Sequence, residues 1–303
     1  MKIIDPHIHL FSLDQGDYHW LKADNPPFWS DKNKICQNFT EHDLRLTEHL
    51  ELAGFVHIEA GFDNNKPWRE IAYLEQHCHL PFRAIAYIDL LLNETNFKQQ
   101  LQKLLKYKSV VGCRYILDEQ ALTVLSAKNT LKNLALLAHH NLIFEVQMSL
   151  NANTAVTKLM QLLTQLPALK TIINHAGWPS LMDKKSQQWL NNLQQLSQFN
   201  HCAIKCSGWE MSDRNYSINS ITTIISLCLQ TFGENRVMLA SNFPLCILSP
   251  RVQNNGDQNN DVLNNSYQNI WQIYHQSITD LNLTTQQEEL ISYTNASLMY
   301  QLS

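Results

Sequence analysis

Two histidines, His7 and His9, stand one residue apart in Asp5-Pro6-His7-Ile8-His9, inside a short apolar run that reads as a β-strand. Strand side chains alternate with a period of 2, so both imidazoles face one side. Together they can form half of a metal site or two polar arms of a substrate pocket. Polar residues also stand at the ends of later strand-like runs. His57 and Glu59 share a face of one, and Gly112 lies beneath Arg114 on another. Glu145 and Gln147 point together, as do Lys205 and Ser207, while Asn174-His175 and Ser241-Asn242 close two more runs. Each has a structural alternative: His57 as a satisfied core histidine, Glu145 and Lys205 as a neutralising pair, Arg114 folded out over a helix. Burying one unpaired charge or amide costs on the order of several kcal/mol, so a core excludes such groups. A polar ring at the ends of most strands therefore predicts a binding site for a small polar molecule.

The elements that must position these residues recur along the chain. Strand candidates are Ile3–Leu10, Gly54–Ala60, Phe82–Ile88, Val110–Leu117, Leu142–Met148, Thr171–Ala176, Ala203–Ser207 and Val237–Ser241. Between them the spacing predicts helices over Thr40–Ala53, Trp68–His79, Glu94–Tyr107, Asn129–His140, Thr154–Gln165, Ser186–Ser197 and Asn219–Phe232, with Gln286–Tyr300 closing the chain. Eight strands alternating with eight helices predict an α/β fold, a (β/α)₈ TIM barrel, as one domain over residues 1–303. A doubly wound sheet also fits the alternation, but no Gly-x-Gly-x-x-Gly follows the first strand. Two segments break the rhythm, and both follow a strand, on the face where barrel active sites are built. Residues 11–39 carry Tyr18, Trp20, Pro26, Pro27, Phe28 and Trp29 and are expected to form a pocket wall. Residues 248–265 have the composition of a flexible polar loop.

Composition excludes several function classes. Hydrophobic content of 44% and charged content of 17% in 303 residues suit a soluble globular protein. A formal charge of -4 gives no basis for nucleic acid or an anionic membrane as partner. No apolar run approaches the ~20 residues of a membrane span, and Met1 leads directly into a strand, so a cytoplasmic chain is expected. Seven cysteines without a Cys-x-x-Cys are expected to be reduced and mostly buried. Nothing marks a large exposed apolar patch, so the oligomeric state is left open.

The motifs resemble the amidohydrolase superfamily, and most of all its lactonase-like branch, the 2-pyrone-4,6-dicarboxylate lactonases and sugar lactonases. The residues carrying the resemblance are Ile4 to Leu10, Tyr18-His19-Trp20-Leu21, Val111-Gly112-Cys113-Arg114, Ile173 to Pro179, Ala203 to Gly208, Asn235 to Pro244, and Asn295-Ala296 with Tyr300. They keep the family's order over nearly the whole chain. The resemblance implies a barrel that hydrolyses a small ester, lactone or amide above its strand ends. It places the strand-1 histidines on His7 and His9, the strand-6 histidine on His175, and a carboxylate-gripping arginine on Arg114. Glu59, Gln147, Ser207 and Trp20 complete the expected substrate-facing set. The departure is on strand 8, where the family's aspartate is Asn242.

An amide accepts no proton near neutral pH, so Asn242 can orient a water or a carbonyl but cannot act as the base. His7, His9 and His175 are the expected metal ligands, and the loss of the anionic one leaves the cofactor open between one divalent ion (Zn²⁺ or Mn²⁺) and none. The expected activity is hydrolysis of a lactone or carboxylic ester of a small acid or polyhydroxy compound. Arg114 would hold the acid, His9 or His175 would polarise the carbonyl, and His7, Glu59 or His175 would activate water. The alternatives are a metal-dependent decarboxylase of the same superfamily and an inactive barrel that only binds a ligand.

Overall fold

The computed structural model describes residues 1–47, 49–179, 186–253 and 262–302. Eight parallel strands follow one another around a single sheet in sequence order. They are β1 (Lys2–Ile8), β2 (Glu51–Ile58), β3 (Phe82–Tyr87), β4 (Val110–Ile116), β5 (Ile143–Gln147), β6 (Thr171–Ile173), β7 (Cys202–Cys206) and β8 (Val237–Leu239). The seam between β8 and β1 closes just past the end of β8. There Asn242 N donates to His7 O at 3.0 Å and His9 N donates to Phe243 O at 2.7 Å. The (β/α)₈ barrel expected from the alternation is the one observed.

Main helices are α1 (Trp68–His77), α2 (Glu94–Leu104), α3 (Thr130–His139), α4 (Asn153–Gln165), α5 (Ser186–Ser197), α6 (Ile218–Phe232), α7 (Val262–Asp280) and α8 (Asn295–Tyr300). Their sequences explain them. In α2, the Asn93 side chain accepts from Asn96 N at 3.0 Å, capping a free donor of the first turn. Phe97, Leu101 and Leu104 then recur at helical spacing and are buried, each contributing about 1.5–3 kcal/mol. The barrel interior holds Ile4, Val56, Ile58, Ile85, Ile143, Ile172, Ala203 and Met238, and Ala296, Tyr300 and Leu302 cluster with them. Strand residues of the opposite parity, such as Phe55, Phe144, Cys202, Ile204 and Cys206, belong to the larger core between barrel and helices. All seven cysteines are free, and five are buried.

Three expectations are corrected. Among the described residues the helix predicted over Thr40–Ala53 is absent. Thr40 and Asp43 instead form a capping box on a single 3₁₀ turn, Glu41–Asp43. The chain then extends, because Glu51 N pairs with Met1 O and the segment from Glu51 onward joins β1. The loop expected at 248–265 is helical at both ends, with Pro250–Gln253 on one side and α7 beginning at Val262 on the other. The part over 254–261 lies outside the described residues. Within α7, Tyr267, Ile270, Trp271, Tyr274 and Ile278 are buried at helical spacing. Finally, His57 does not share the barrel interior with its strand neighbours. Its Nε2 meets Glu70 Oε1 of α1 at 3.0 Å and its Nδ1 accepts from Leu10 N at 3.2 Å, a satisfied core histidine. Among the described residues no helix is long and apolar enough to cross a membrane.

Candidate functional site

His7 and His9 reach the barrel interior because β1 slips in register against β2 between Asp5 and Ile8. Asp5, just before the slip and paired with Phe55, faces outward, and its Oδ1 accepts from His7 N and Ser241 N at 3.2 and 3.1 Å. Burial pushes the Asp5 carboxyl up to about 6 against those hydrogen bonds. The two imidazoles lie edge to face with ring centres 5.1 Å apart. His175 arrives from the end of β6, its ring centre 4.6 Å from that of His7.

His175 is carried by an unusual turn. His175, Ala176, Gly177 and Trp178 all have positive φ, between 50° and 69°. For a residue with a Cβ this conformation costs about 1–2 kcal/mol, so the surroundings must impose it. They do so through Trp189 Nε1 donating to Ala176 O at 2.7 Å and Leu150 N donating to Gly177 O at 2.9 Å. The turn lays the Trp178 ring against His175 at 4.5 Å. Ser207 Oγ, at the end of β7, sits 3.0 Å from His175 Nδ1. His9 Nδ1 lies 2.8 Å from Ile58 O, which can only accept, so the proton is on Nδ1 and Nε2 carries the lone pair. Neither ring nitrogen of His7 has a partner, although the residue is fully buried. Burial, followed by the positive charges of Lys205 and Arg114, holds His7 and His175 well below the usual imidazole range. Burial and then Arg114 do the same for His9. All three are neutral near pH 7.

Arg114 on β4 points into the mouth and is spent on protein partners. Its Nε donates to Glu59 Oε1 at 2.9 Å, its Nη2 to Glu59 O at 2.8 Å, and its Nη1 to Gln147 Oε1 at 2.7 Å. One N–H on each terminal nitrogen is left over. Burial lifts the Glu59 carboxyl to about 7, against the lowering effect of Arg114. Gln147 Nε2 reaches Asp118 Oδ2 at 3.4 Å. Glu145 and Lys205 form the neutralising pair, with Lys205 Nζ 2.6 and 2.7 Å from the two carboxylate oxygens and Tyr300 OH donating to one of them at 2.7 Å. Trp20, expected to touch substrate, donates from Nε1 to Ala60 O at 2.8 Å and lies edge-on to Phe11 and Trp29.

Asn242, three residues past the end of β8, has φ at 57°, a conformation asparagine tolerates well. Its Nδ2 donates to Glu210 Oε1 at 2.5 Å. Glu210 is a carboxylate that reasoning along the strands missed. It sits in the short helix Trp209–Ser212, three residues past Ser207, and a left-handed Gly208 turns it back toward β8. The only sequence signal was an acidic residue between Trp209 and Met211 just beyond a strand end.

The described residues do not fit a metal ion. No three histidine, cysteine, aspartate or glutamate side chains among them are arranged to hold one. The strand-8 position offers a neutral amide already engaged by Glu210. Two cations, Arg114 and Lys205, act on the imidazole cluster, which disfavours a further dication.

The sequence pattern of the amidohydrolase family matches residues 4–302. An uncharacterized protein of Sinorhizobium fredii is 24% identical over 99% of this chain and 98% of its own length. Among solved structures, an amidohydrolase from Burkholderia multivorans with bound zinc superposes with a TM-score of 0.79 at 16% identity, over the whole of both chains. A probable 2-pyrone-4,6-dicarboxylic acid hydrolase from Acinetobacter baumannii, with citric acid bound, gives 0.65 at 17% identity, again over both whole chains. A 2,6-dihydroxybenzoate decarboxylase holding 2,6-dihydroxybenzoate gives 0.57 at 13% identity over 99% of each chain. The solved structures share the barrel, and the family match spans it from β1 to the last turn of the chain: this protein belongs to the amidohydrolase family.

Proposed function

We propose that this barrel hydrolyses a small lactone or carboxylic ester, breaking a C–O bond at the C-terminal mouth. The observation that carries the reading is the imidazole cluster. His7 is buried with two unpartnered nitrogens, beside His9 and His175, whose rings are oriented by Ile58 O and Ser207. Leaving such a group unsatisfied costs on the order of 1–3 kcal/mol, which a bound polar substrate or water would recover. Neutral imidazoles suit this chemistry: His7, and His175 when Ser207 donates to its Nδ1, can donate a hydrogen bond to a carbonyl oxygen as charge develops there, while His9 offers an acceptor at Nε2. The remaining N–H groups of Arg114 can orient a carboxylate or hydroxyl of the substrate, and the citrate and dihydroxybenzoate held by structural relatives favour a small acid. Lactones are reactive acyl compounds, so base assistance of about 10²–10⁴-fold is enough. No step is assigned to a metal ion.

The test is a panel of lactones, carboxylic esters and aromatic acids. Protein as purified, and protein supplied with Zn²⁺ or Mn²⁺, is assayed by acid release and by CO₂ release. Hydrolysis that is lost in a His7→Ala/His9→Ala variant supports the reading. Folded protein that opens no lactone or ester overturns it, and CO₂ release without acid formation puts a decarboxylase in its place.

A further inference from the structure

The strand-8 asparagine leaves the hydrolase reading without its base, and the site holds a carboxylate in contact with that asparagine. Glu210 is 1% exposed, and its Oε1 receives the Asn242 amide at 2.5 Å. Its other oxygen, Oε2, is buried without a partner, and so is Asn242 Oδ1. Two adjacent unsatisfied acceptors are expensive in a closed core and useful where a water must be held, because water supplies two protons. Glu210 also lines a cavity of about 320 Å³ with Trp29, Asp31, Met211 and Arg214. The cavity lies between the aromatic segment after β1 and the turn after β7, on the catalytic side of the barrel. Arg214 closes its wall, with Nε 2.8 Å from Asp31 Oδ2 and the guanidinium 5.2 Å from the Trp29 ring centre.

We propose that Glu210 is the general acid–base residue of this site and that Asn242 positions it, the pair replacing the single strand-8 aspartate. The inference rests on the hydrolase reading. Asn242 Oδ1 and Glu210 Oε2 hold a water between them. As the water oxygen bonds to the substrate carbonyl carbon, its proton passes to Glu210 Oε2. When the tetrahedral adduct collapses, the ring C–O bond breaks and Glu210 returns that proton to the departing alkoxide oxygen. Lactone and water become the hydroxy acid, and Glu210 ends as it began.

Its surroundings suit the task. Burial pushes the Glu210 carboxyl up to about 7, with the Asn242 hydrogen bond and Arg214 acting the other way. The charged and titratable groups around it are Arg214 and Tyr216 on its own loop, Cys246 in the turn after β8, Tyr274 on α7, and Asp31 across the cavity. The other candidates are less apt. The three histidines are weak bases because burial and the nearby cations disfavour their protonated forms, and Glu59 has Arg114 on its oxygen.

Kinetics against pH test this, with wild type, Glu210→Gln and Asn242→Ala on any lactone or ester the wild type opens. The Gln variant keeps an acceptor for Asn242 and is expected to lose about 10²–10⁴-fold in kcat, with KM little changed. The acidic limb of the kcat profile near pH 7 should vanish with it, and Asn242→Ala should move that limb. A Gln variant within threefold of wild-type kcat, or one that keeps the acidic limb, overturns the proposal. If the wild type opens no lactone or ester, the hydrolase reading fails separately. Glu210 is then read by carbon NMR of carboxyl-labelled protein. A resonance titrating near pH 7 and missing in Glu210→Gln supports the assignment, whereas a carboxylate ionised throughout pH 5–8 overturns it.

Discussion

Replacing Gly208 by alanine tests whether backbone geometry after β7 sets the position of both His175 and Glu210. Gly208 has φ of +70°, and a Cβ built there would lie 2.7 Å from His175 Cγ and closer still to its Nδ1. The left-handed conformation costs a residue with a Cβ about 1–2 kcal/mol. His175 must also swing away from Ser207, losing a hydrogen bond worth about 0.5–1.5 kcal/mol. The expected loss is about 2–3 kcal/mol, a Tm lowered by roughly 3–5 °C in a chain of this size. A displacement of about 1 Å at a reacting group can remove about 10²-fold in rate, so kcat should fall far more than stability alone explains. Gly233→Ala is the control. Gly233 also has positive φ, at +75°, but a Cβ there meets nothing within 4 Å. It should lose stability and keep full activity on a substrate identified from the lactone and ester panel. Thermal melts and initial rates on the three proteins decide the matter. If Gly208→Ala melts within a degree of wild type, or loses no more activity than Gly233→Ala, the turn does not position the site.

Lys205→Met should cost about 3–5 kcal/mol in urea denaturation, because it strands Glu145 with only Tyr300 as donor. Adding Glu145→Leu should restore most of that, and a single variant within 1 kcal/mol of wild type would show the pair to be dispensable. The pH dependence of stability offers a second check on Glu210. Between pH 6 and 5 native Glu210, its carboxyl pushed up to about 7 by burial, holds a proton that the same group in the unfolded chain has released. Glu210→Gln removes one native proton, so its stability should fall by about 1.4 kcal/mol more per pH unit than wild type as pH drops across that window. Parallel stability curves for the two proteins would mean that Glu210 is already ionised at pH 5.

The barrel was legible because its strands are short apolar runs at regular spacing, and the polar ends of those runs told which face carries the site. His7, His9, Arg114, His175, Ser207 and Asn242 all lie near or just past the C-terminal ends of their strands, the end to which the strand-like runs and the family resemblance assign them. His57 was misplaced for a physical reason. Phe55, Val56, His57 and Ile58 are all fully buried, since a parallel strand is covered on both faces. Alternation then carries no sign of which residue faces inward. Thr40–Ala53 was misread because Leu44, Leu46 and Leu50 suit a helix, whereas the capping box at Thr40 and pairing from Glu51 onward divide the segment between a turn and a strand.

Glu210 was hidden for a different reason, one that bears on the whole site. A residue on a strand is placed by counting, but a residue beyond a left-handed glycine is placed by the turn, and counting past Gly208 says nothing about its direction. Taken alone, Asn242 reads as the loss of a base and favours a barrel that merely binds. Its structural context reverses that inference. A barrel retired from chemistry gains nothing by keeping a buried carboxylate with one unpartnered oxygen, since filling that space with apolar atoms would add stability. Nor does such a barrel need three neutral imidazoles near its strand ends, one of them, His7, buried with neither ring nitrogen partnered. These groups are costly together unless something polar passes between them. The carboxyl group absent from strand 8 stands instead on the turn after β7, 2.5 Å from the amide that took its place.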